Sequence, residues 1–203
     1  MSVLVVDYHM CNLGSVRRAL EEIGAEVIVS DDPADLKKAE RLILPGVGSF
    51  RDGMTHLRDL GWEPEILNAV REGVPLFGIC LGMQLLLSKG REGGETPGLS
   101  LISGEVKRLE PEPAGTRIPH VGWNEVHPVT SSDLLRDITD GTDFYFVHSY
   151  HAVVENKTDV LATTPYCGGF VSAVHSGNVW GVQFHPEKSG KPGFKLLQNF
   201  LKL

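Results

Sequence analysis

In the first half of the chain, apolar and polar positions follow two rhythms. Short aliphatic runs at Val3–Val6, Glu26–Val29, Leu42–Leu44 and Pro75–Ile79 have the length and β-branched character of buried strands. Between them, apolar residues return at helical spacing. Val16, Ala19, Leu20 and Ile23 make one stripe, with Asn12 placed to cap a helix from Leu13 and Gly24 to end it. Pro33 opens a short helix to about Ala39. A longer helical stretch, broken near Gly61–Pro64, reaches Glu72, and Met83–Leu87 reads as the helix after the Pro75–Ile79 strand. Strands alternating with helices predict parallel βαβ units and a sheet covered on both faces.

The second half loses the helical rhythm. Val106–Leu109, Asn124–Val126, Phe144–Val147, Ala152–Val154, Val160–Thr164, Phe170–Val174 and Trp180–Phe184 read as strands joined by turns. A short turn near Leu134 and a closing helix over Gly193–Leu203, with Phe194, Leu197, Phe200 and Leu201 on its apolar side, are the helical signals there. No internal repeat interrupts the pattern. Glu110–Gly115 is linker-like but short, so it reads as a surface loop, and residues 1–203 are expected to form a single α/β domain.

Composition narrows the function classes. The 19 Lys+Arg against 26 Asp+Glu make a mildly acidic chain, which argues against a nucleic-acid binder. Three cysteines, Cys11, Cys80 and Cys167, lie far apart with no Cys-x-x-Cys pair, so neither a disulfide framework nor a zinc ribbon is indicated. The start, Met1–Val6, lacks the basic head and long apolar body of a signal peptide, and no apolar run spans a bilayer. A reducing, cytoplasmic setting is the expectation, and it keeps a reactive thiol usable.

Chemistry concentrates at Gly78-Ile79-Cys80-Leu81-Gly82. Gly-x-Cys-x-Gly has the layout of the Gly-x-Ser-x-Gly elbow, in which a sharp strand-to-helix turn exposes the nucleophile. A thiol at a helix start is favoured as thiolate. A cysteine in an apolar run is otherwise packing, the reading given to Cys11 and Cys167. The thiolate needs a base and the base an orienting group. His185-Pro186-Glu187 follows a strand-like run; in an extended segment residues at i and i+2 share a side, which sets His185 beside Glu187. Pro45-Gly46-Val47-Gly48 ends a strand and offers backbone N–H groups to a developing oxyanion, with the N–H of Leu81 as the second donor. It lacks the residues of a dinucleotide or phosphate loop. His148-x-x-His151 has no third ligand and reads as structural. His9, His56, His120, His127 and His175 stand outside any motif. Asp7–Asn12, Pro45–Ser49 and Cys80 all fall at carboxyl ends of strands, where open α/β sheets place their sites. These features reach acyl transfer or hydrolysis through a thioester, without fixing the substrate.

Gly78-Ile79-Cys80-Leu81-Gly82-Met83-Gln84 followed by Phe184-His185-Pro186-Glu187 closely resembles the class I (triad) glutamine amidotransferases. Val6-Asp7-Tyr8, Asn12-Leu13-Gly14-Ser15-Val16, Leu44-Pro45-Gly46-Val47-Gly48, His120-Val121-Gly122-Trp123-Asn124, Phe146-Val147-His148-Ser149-Tyr150 and Glu187-Lys188-Ser189-Gly190 are together similar to the HisH family, the glutaminase subunits of imidazole glycerol phosphate synthases. The resemblance implies a flavodoxin-like amidotransferase fold: a central, mostly parallel sheet flanked by helices, with added antiparallel strands in the second half. It implies glutamine as substrate, no cofactor or metal, and a (β/α)8-barrel cyclase partner of the HisF type. That partner uses the ammonia to form imidazole glycerol phosphate and AICAR in histidine biosynthesis. Carried over by motif position, Cys80 is nucleophile, His185 base then acid, and Glu187 its orienter. Leu81 and the Val47/Gly48 peptide are oxyanion donors, and Gln84, Glu92, Ser149 and Tyr150 hold glutamine. Asn12, Pro119, Val121, Trp123, Tyr145 and Lys188 meet the partner. For Glu92 the competing reading is a solvated loop charge, and for Trp123 it is core packing. The family's first loop reads Asp-Tyr-Gly-x-Gly-Asn-Leu, whereas His9 and Cys11 replace both glycines here, which leaves the backbone path of this loop open. Rival readings are another triad amidotransferase, a γ-glutamyl hydrolase, and a non-catalytic α/β binding module with an inert cysteine.

Overall fold

Strand β1 (Ser2–Val6) buries every residue from Val3 to Val6, because alternate side chains enter cores on opposite sides of the sheet. Val3 and Val5 face one cluster with α1 (Leu13–Glu22), and Leu4 and Val6 face the other. The computed structural model describes residues 2–203, so Met1, the first residue of the expected single domain, lies outside them. The parallel half continues with β2 (Glu26–Ser30), β3 (Arg41–Leu44), α2 (Phe50–Asp59), α3 (Trp62–Arg71) and β4 (Leu76–Ile79). Helices α2 and α3 cover the Leu4 side, through Met54, Leu57, Trp62 and Ile66. Helix α1 and the closing α5 (Gly190–Phe200) cover the Val3 side, through Val16, Leu20, Leu196, Leu197 and Phe200.

The expected helix boundaries hold with physical amendments. Asn12 occupies the cap position of α1 but its side chain makes no capping bond. Ser49 does cap α2, accepting from the N–H of Asp52 at 3.2 Å. The break near Gly61 is real: Gly61 turns with φ of 75°, while Pro64 sits in the first turn of α3, where no N–H is needed. The Pro33–Lys38 turn is 3-10, and Asp133–Leu135 forms the turn expected near Leu134.

One helix expectation fails. The helix after Cys80, α4, spans only Leu81–Leu85, and Leu87–Gly90 is strand β5, not the end of a helix. The carbonyls of Leu85, Leu86 and Leu87 accept from the N–H groups of Leu99, Leu101 and Ser100 at 2.9, 2.9 and 3.2 Å. Sheet pairing has taken the acceptors that a longer helix would use, which overrides the leucines' helix propensity.

The second half supplies β6 (Thr96–Pro97), β7 (Ile102–Arg108), β8 (His120–Pro128), β9 (Thr142–His148), β10 (Tyr150–Val154), β11 (Val160–Thr164), β12 (Phe170–Ser176) and β13 (Val179–Val182). The sheet runs β2-β1-β3-β4-β13-β12-β10-β7-β5-β6, parallel from β2 to β13 and mostly antiparallel beyond, with β11, β8 and β9 branching from β12. Strand β13 returns beside β4 in parallel register, Val182 opposite Ile79. That placement brings Gln183–Glu187 to the same sheet end as Cys80. Glu110–Gly115 lies outside any helix or strand, as its composition predicts.

Candidate active site

Cys80 is strained. It sits between β4 and α4 with φ 54° and ψ −108°, a conformation that side-chain-bearing residues rarely adopt. The flanking glycines let the chain double back. A Cβ on Gly78 would lie 2.7 Å from the N of Met83, and one on Gly82 would lie 1.7 Å from the carbonyl oxygen of Leu44. Both are closer than any real Cβ contact, so glycine is required at each position. Helix α4 is short, so the field at its start is a local one from a few N–H groups.

Behind the sulfur lies a buried ion pair. His185 Nδ1 is 2.7 Å from Glu187 Oε1, and both side chains are at most 3% exposed. The pair forms, but through a 3-10 turn over Pro186–Lys188, where an extended segment was expected. His185 itself is extended; Pro186 then starts the turn that swings Glu187 back under the ring. Nε2 of His185 is buried without a regular hydrogen bond and looks onto the Cys80 sulfur. Burial works against the imidazolium. The nearby Cys80 sulfur and the Glu187 carboxylate outweigh it and raise the His185 pKa to about 10. At neutral pH the His185 ring is held as imidazolium beside the sulfur.

In front of the sulfur is a cavity of about 230 Å³. Its lining contains Cys80 together with Leu81, Val47, Gly48, Gln84, Glu92, Ser149 and Tyr150, so every expected donor and glutamine contact converges on it. Val147 and His148 complete the wall. A larger open cleft of about 830 Å³, lined by Arg91, Lys107 and Arg108 among others, shares only Tyr150 with it and contains no nucleophile.

Glu92 is not a free loop charge: its Oε2 accepts from the N–H of Phe50, the first residue of α2, at 2.9 Å. A carboxylate there meets the positive end of the helix. Gln84 donates through Nε2 to the carbonyl of Tyr150 at 2.9 Å and to Gln183 Oε1 at 2.9 Å. Its Oε1 is left as the group that can accept from a ligand.

Of the expected oxyanion donors, Leu81 is engaged elsewhere: its N–H points to the carbonyl of Gly46 at 3.3 Å. The N–H of Val47, which belongs to the peptide before the expected Val47/Gly48 donor, is held by the carbonyl of Met10 at 2.8 Å. His9, where the family has glycine, holds the left-handed conformation with φ of 66°, and its N–H is tied to Asp7 Oδ1 at 2.9 Å. Histidine thus keeps one glycine-like turn of the first loop. Cys11 is half-buried; burial first, and then the nearby Asp7 carboxylate, push its thiol up to about 11, against opposing backbone hydrogen bonds. It is unreactive at neutral pH. Cys167 is also half-buried, so neither cysteine is a fully packed core residue.

The residues expected to meet a partner do not all share one environment. Val121 and Trp123 are 57% and 56% exposed, so Trp123 is not core packing. Register places Val121 opposite Val147 and Trp123 opposite Tyr145 on the outer face of the β8–β9 ribbon. Asn12, Pro119 and Lys188 are exposed, and Lys188 Nζ stands 5.8 Å over the half-buried Tyr145 ring. Val47 and Val147 belong both to this apolar rim and to the cavity wall.

Two residues of the site escaped the sequence reading. Gln183, fully buried, donates Nε2 to the Cys80 sulfur at 3.6 Å. His148 was read as structural, yet it lines the cavity and donates Nδ1–H to the Tyr150 carbonyl at 2.8 Å. The signal for Gln183 was its position next in line after β13, opposite the elbow.

Comparison with known proteins agrees with this geometry. The family described as glutamine amidotransferase class-I matches residues 4–203. The imidazole glycerol phosphate synthase subunit HisH of Moorella thermoacetica is 48% identical, covering 99% of this chain and 94% of its own. The subunit HisH of Geobacillus sp. is 49% identical, covering 98% and 95%. A crystal structure of a glutamine amidotransferase, 23% identical, superposes with a TM-score of 0.77 over 98% of this chain and 97% of that one, which shows the shared fold. With an elbow cysteine, a buried His–Glu pair and this degree of identity along nearly its whole length, the chain belongs to the class I glutamine amidotransferases and, within them, to the HisH family.

Proposed function

We propose that this chain is the glutaminase subunit of an imidazole glycerol phosphate synthase. It hydrolyses glutamine at Cys80 and passes the ammonia to a HisF-type cyclase, which forms imidazole glycerol phosphate and AICAR. The observation that carries the reading is the strained Cys80 elbow, with the buried His185–Glu187 pair behind it and the cavity of about 230 Å³ in front.

In this reading the Cys80 thiolate attacks the side-chain amide carbon of glutamine. The carbon–sulfur bond forms as the carbonyl electrons move to oxygen. His185 gives its Nε2 proton to the leaving nitrogen, the carbon–nitrogen bond breaks, and ammonia departs from a γ-glutamyl thioester. Water then attacks the thioester; His185 takes its proton, the thiolate leaves, and glutamate is released. Glu187 holds the ring with Nδ1–H directed at its carboxylate and stabilises the imidazolium. The Gln84 oxygen and the second oxygen of Glu92 accept from the substrate's α-ammonium group, and Ser149 and Tyr150 form the facing wall. For the oxyanion to be held, Leu81 must exchange its bond to Gly46, and the Val47/Gly48 peptide must turn the Gly48 N–H towards the cavity. Gly48, with φ of 112°, makes that turn inexpensive.

The docking face is the exposed rim of Asn12, Pro119, Val121, Trp123, Tyr145 and Lys188. The chain acts as one domain, in the cytoplasm. Its free cysteines suit a reducing setting, and no helix among the described residues is long and apolar enough to cross a membrane. The test is Cys80→Ala in complex with the cyclase. Glutamine-driven synthesis falls by about a thousandfold or more while ammonia-driven synthesis persists. Loss of both would mean that Cys80 is structural.

A further inference from the structure

A single backbone carbonyl, that of Tyr150, fixes the direction of the hydrogen bonds made by Gln84, Gln183 and His148 beside the sulfur, which also lies 4.0 Å from the Val147 carbonyl oxygen. A carbonyl can only accept. Inwards, it accepts from Gln84 Nε2 at 2.9 Å, and the same nitrogen donates its other proton to Gln183 Oε1 at 2.9 Å. Flipping Gln84 would set oxygen against oxygen, so its orientation is determined. With its oxygen used as acceptor, Gln183 turns its NH2 group to Cys80 Sγ, 3.6 Å away. The sulfur is therefore met by a donor, and a donor favours the thiolate.

Outwards, the same carbonyl accepts from His148 Nδ1 at 2.8 Å. The neutral His148 ring then has only an acceptor at Nε2, which lies 3.0 Å from His120 Nδ1. His120 must donate there, leaving its own Nε2 to accept from Asn124 Nδ2 at 3.2 Å. His120 is clamped between Tyr166 and Phe146, with ring centroids 3.9 and 4.8 Å away, so it cannot turn to another partner. Both rings are buried. Desolvation keeps them neutral, lowering the pKa of His120 to about 4 and that of His148 to about 3. Protonating either would put two N–H groups face to face. Asn124 follows Trp123 on β8, the strand whose other face forms the exposed apolar rim.

We propose that Gln183 is a catalytic residue, donating an amide N–H to the Cys80 sulfur, and that His120 and His148 are positioning residues in a chain of hydrogen bonds donated from Asn124 on the docking strand inwards to the Tyr150 carbonyl. Gln84 donates to the same carbonyl from the other side and, through Gln183, starts a second chain that ends at the sulfur. This rests on Cys80 being the glutaminase nucleophile. Gln183 stabilises the attacking form of sulfur, and His148 holds the Ser149–Tyr150 wall by occupying the second lone pair of the carbonyl that anchors Gln84. The titratable groups around the sulfur are His185 with its partner Glu187, Tyr8, His148 and Glu92; Tyr8 is buried, with its pKa raised first by desolvation and then by Cys11 and Cys80.

The test follows Cys80 alkylation by iodoacetamide against pH, which reads the thiolate independently of glutamine, together with steady-state glutaminase kinetics of the complex. In folded Gln183→Met the acid limb of alkylation moves up by about one pH unit, and kcat/KM for glutamine falls about tenfold to a hundredfold. Both values within about twofold of the unsubstituted protein would overturn the proposal. Should that variant not fold, nitrogen-15 NMR of the unaltered protein decides. His120 and His148 must both be neutral Nδ1–H tautomers at pH 7, and an Nε2–H tautomer or a cation at either ring refutes the chain. Retention of glutaminase activity by Cys80→Ala would instead sink the reading of Cys80 as the glutaminase nucleophile, while leaving the alkylation and tautomer results intact.

Discussion

One wall of the Cys80 cavity comes from the ends of parallel strands, the other from the corner where β9 turns into β10. The first wall, Val47, Gly48, Cys80 and Leu81, is shaped by steric exclusion. Its backbone runs so close to neighbouring backbone that Gly78 and Gly82 have no room for a methyl group. The second wall, Val147–Tyr150, is shaped by hydrogen bonds from buried polar side chains, with His148 and Gln84 converging on one carbonyl. A steric wall is intolerant and rigid where it must hold a strained nucleophile. A polar wall is adjustable and depends on protonation. The two meet at the sulfur, which the elbow presents and Gln183 contacts.

Substitutions should separate the two kinds of wall. The largest effect is expected from Gly82→Ala. Its Cβ would stand 1.7 Å from the Leu44 carbonyl oxygen, so denaturant unfolding should show a loss of about 4 kcal/mol or more, or no folded protein. On the polar wall, His120→Phe keeps an aromatic ring between Tyr166 and Phe146 but leaves His148 Nε2 without its donor. The expected cost is about 1–3 kcal/mol by the same measurement. A loss as large as that of Gly82→Ala would erase the distinction.

Of the two walls, the polar one carries an acid response through its histidine pair. Unfolded, both histidines take up protons below the ordinary 6.5; folded, His120 stays neutral until about 4 and His148 until about 3. The unfolded chain therefore binds more protons in that window, and stability falls as pH drops from about 6.5 towards 3. His120→Phe should flatten this slope, read from denaturation midpoints at several pH values; an unchanged slope would remove the histidine pair as its source. The smallest effect on folding is expected for Trp123→Ala on the exposed rim, within about 0.5 kcal/mol. Calorimetry with the cyclase should nevertheless show affinity reduced by about tenfold or more.

The steric wall was legible in the sequence and the polar wall was not. Gly-x-Cys-x-Gly speaks through local geometry, because the residues that would clash with a Cβ at Gly78 are Gly82 and Met83, close neighbours in the chain. The His185–Glu187 pair was legible as chemistry, although the backbone that joins them is a 3-10 turn. Gln183 was silent because its meaning comes from the parallel register of β13 with β4, which no local pattern displays. His148 pointed to His151 in the sequence, but in the fold its partner is His120, directly opposite on β8. The short α4 escaped for a similar reason: residues 99–101 claim the carbonyls of Leu85–Leu87. Periodicity found the parallel half, and contacts between distant segments decided the rest.

The measurement closest to the central claim is mass spectrometry of the chain after treatment with a glutamine-mimicking chloroketone, in the presence of the cyclase. The account predicts one adduct per chain, on Cys80, suppressed by excess glutamine, with Cys11 and Cys167 unmodified. An unmodified Cys80, or labelling that glutamine does not protect, would contradict it and leave the elbow cysteine as part of a non-catalytic fold.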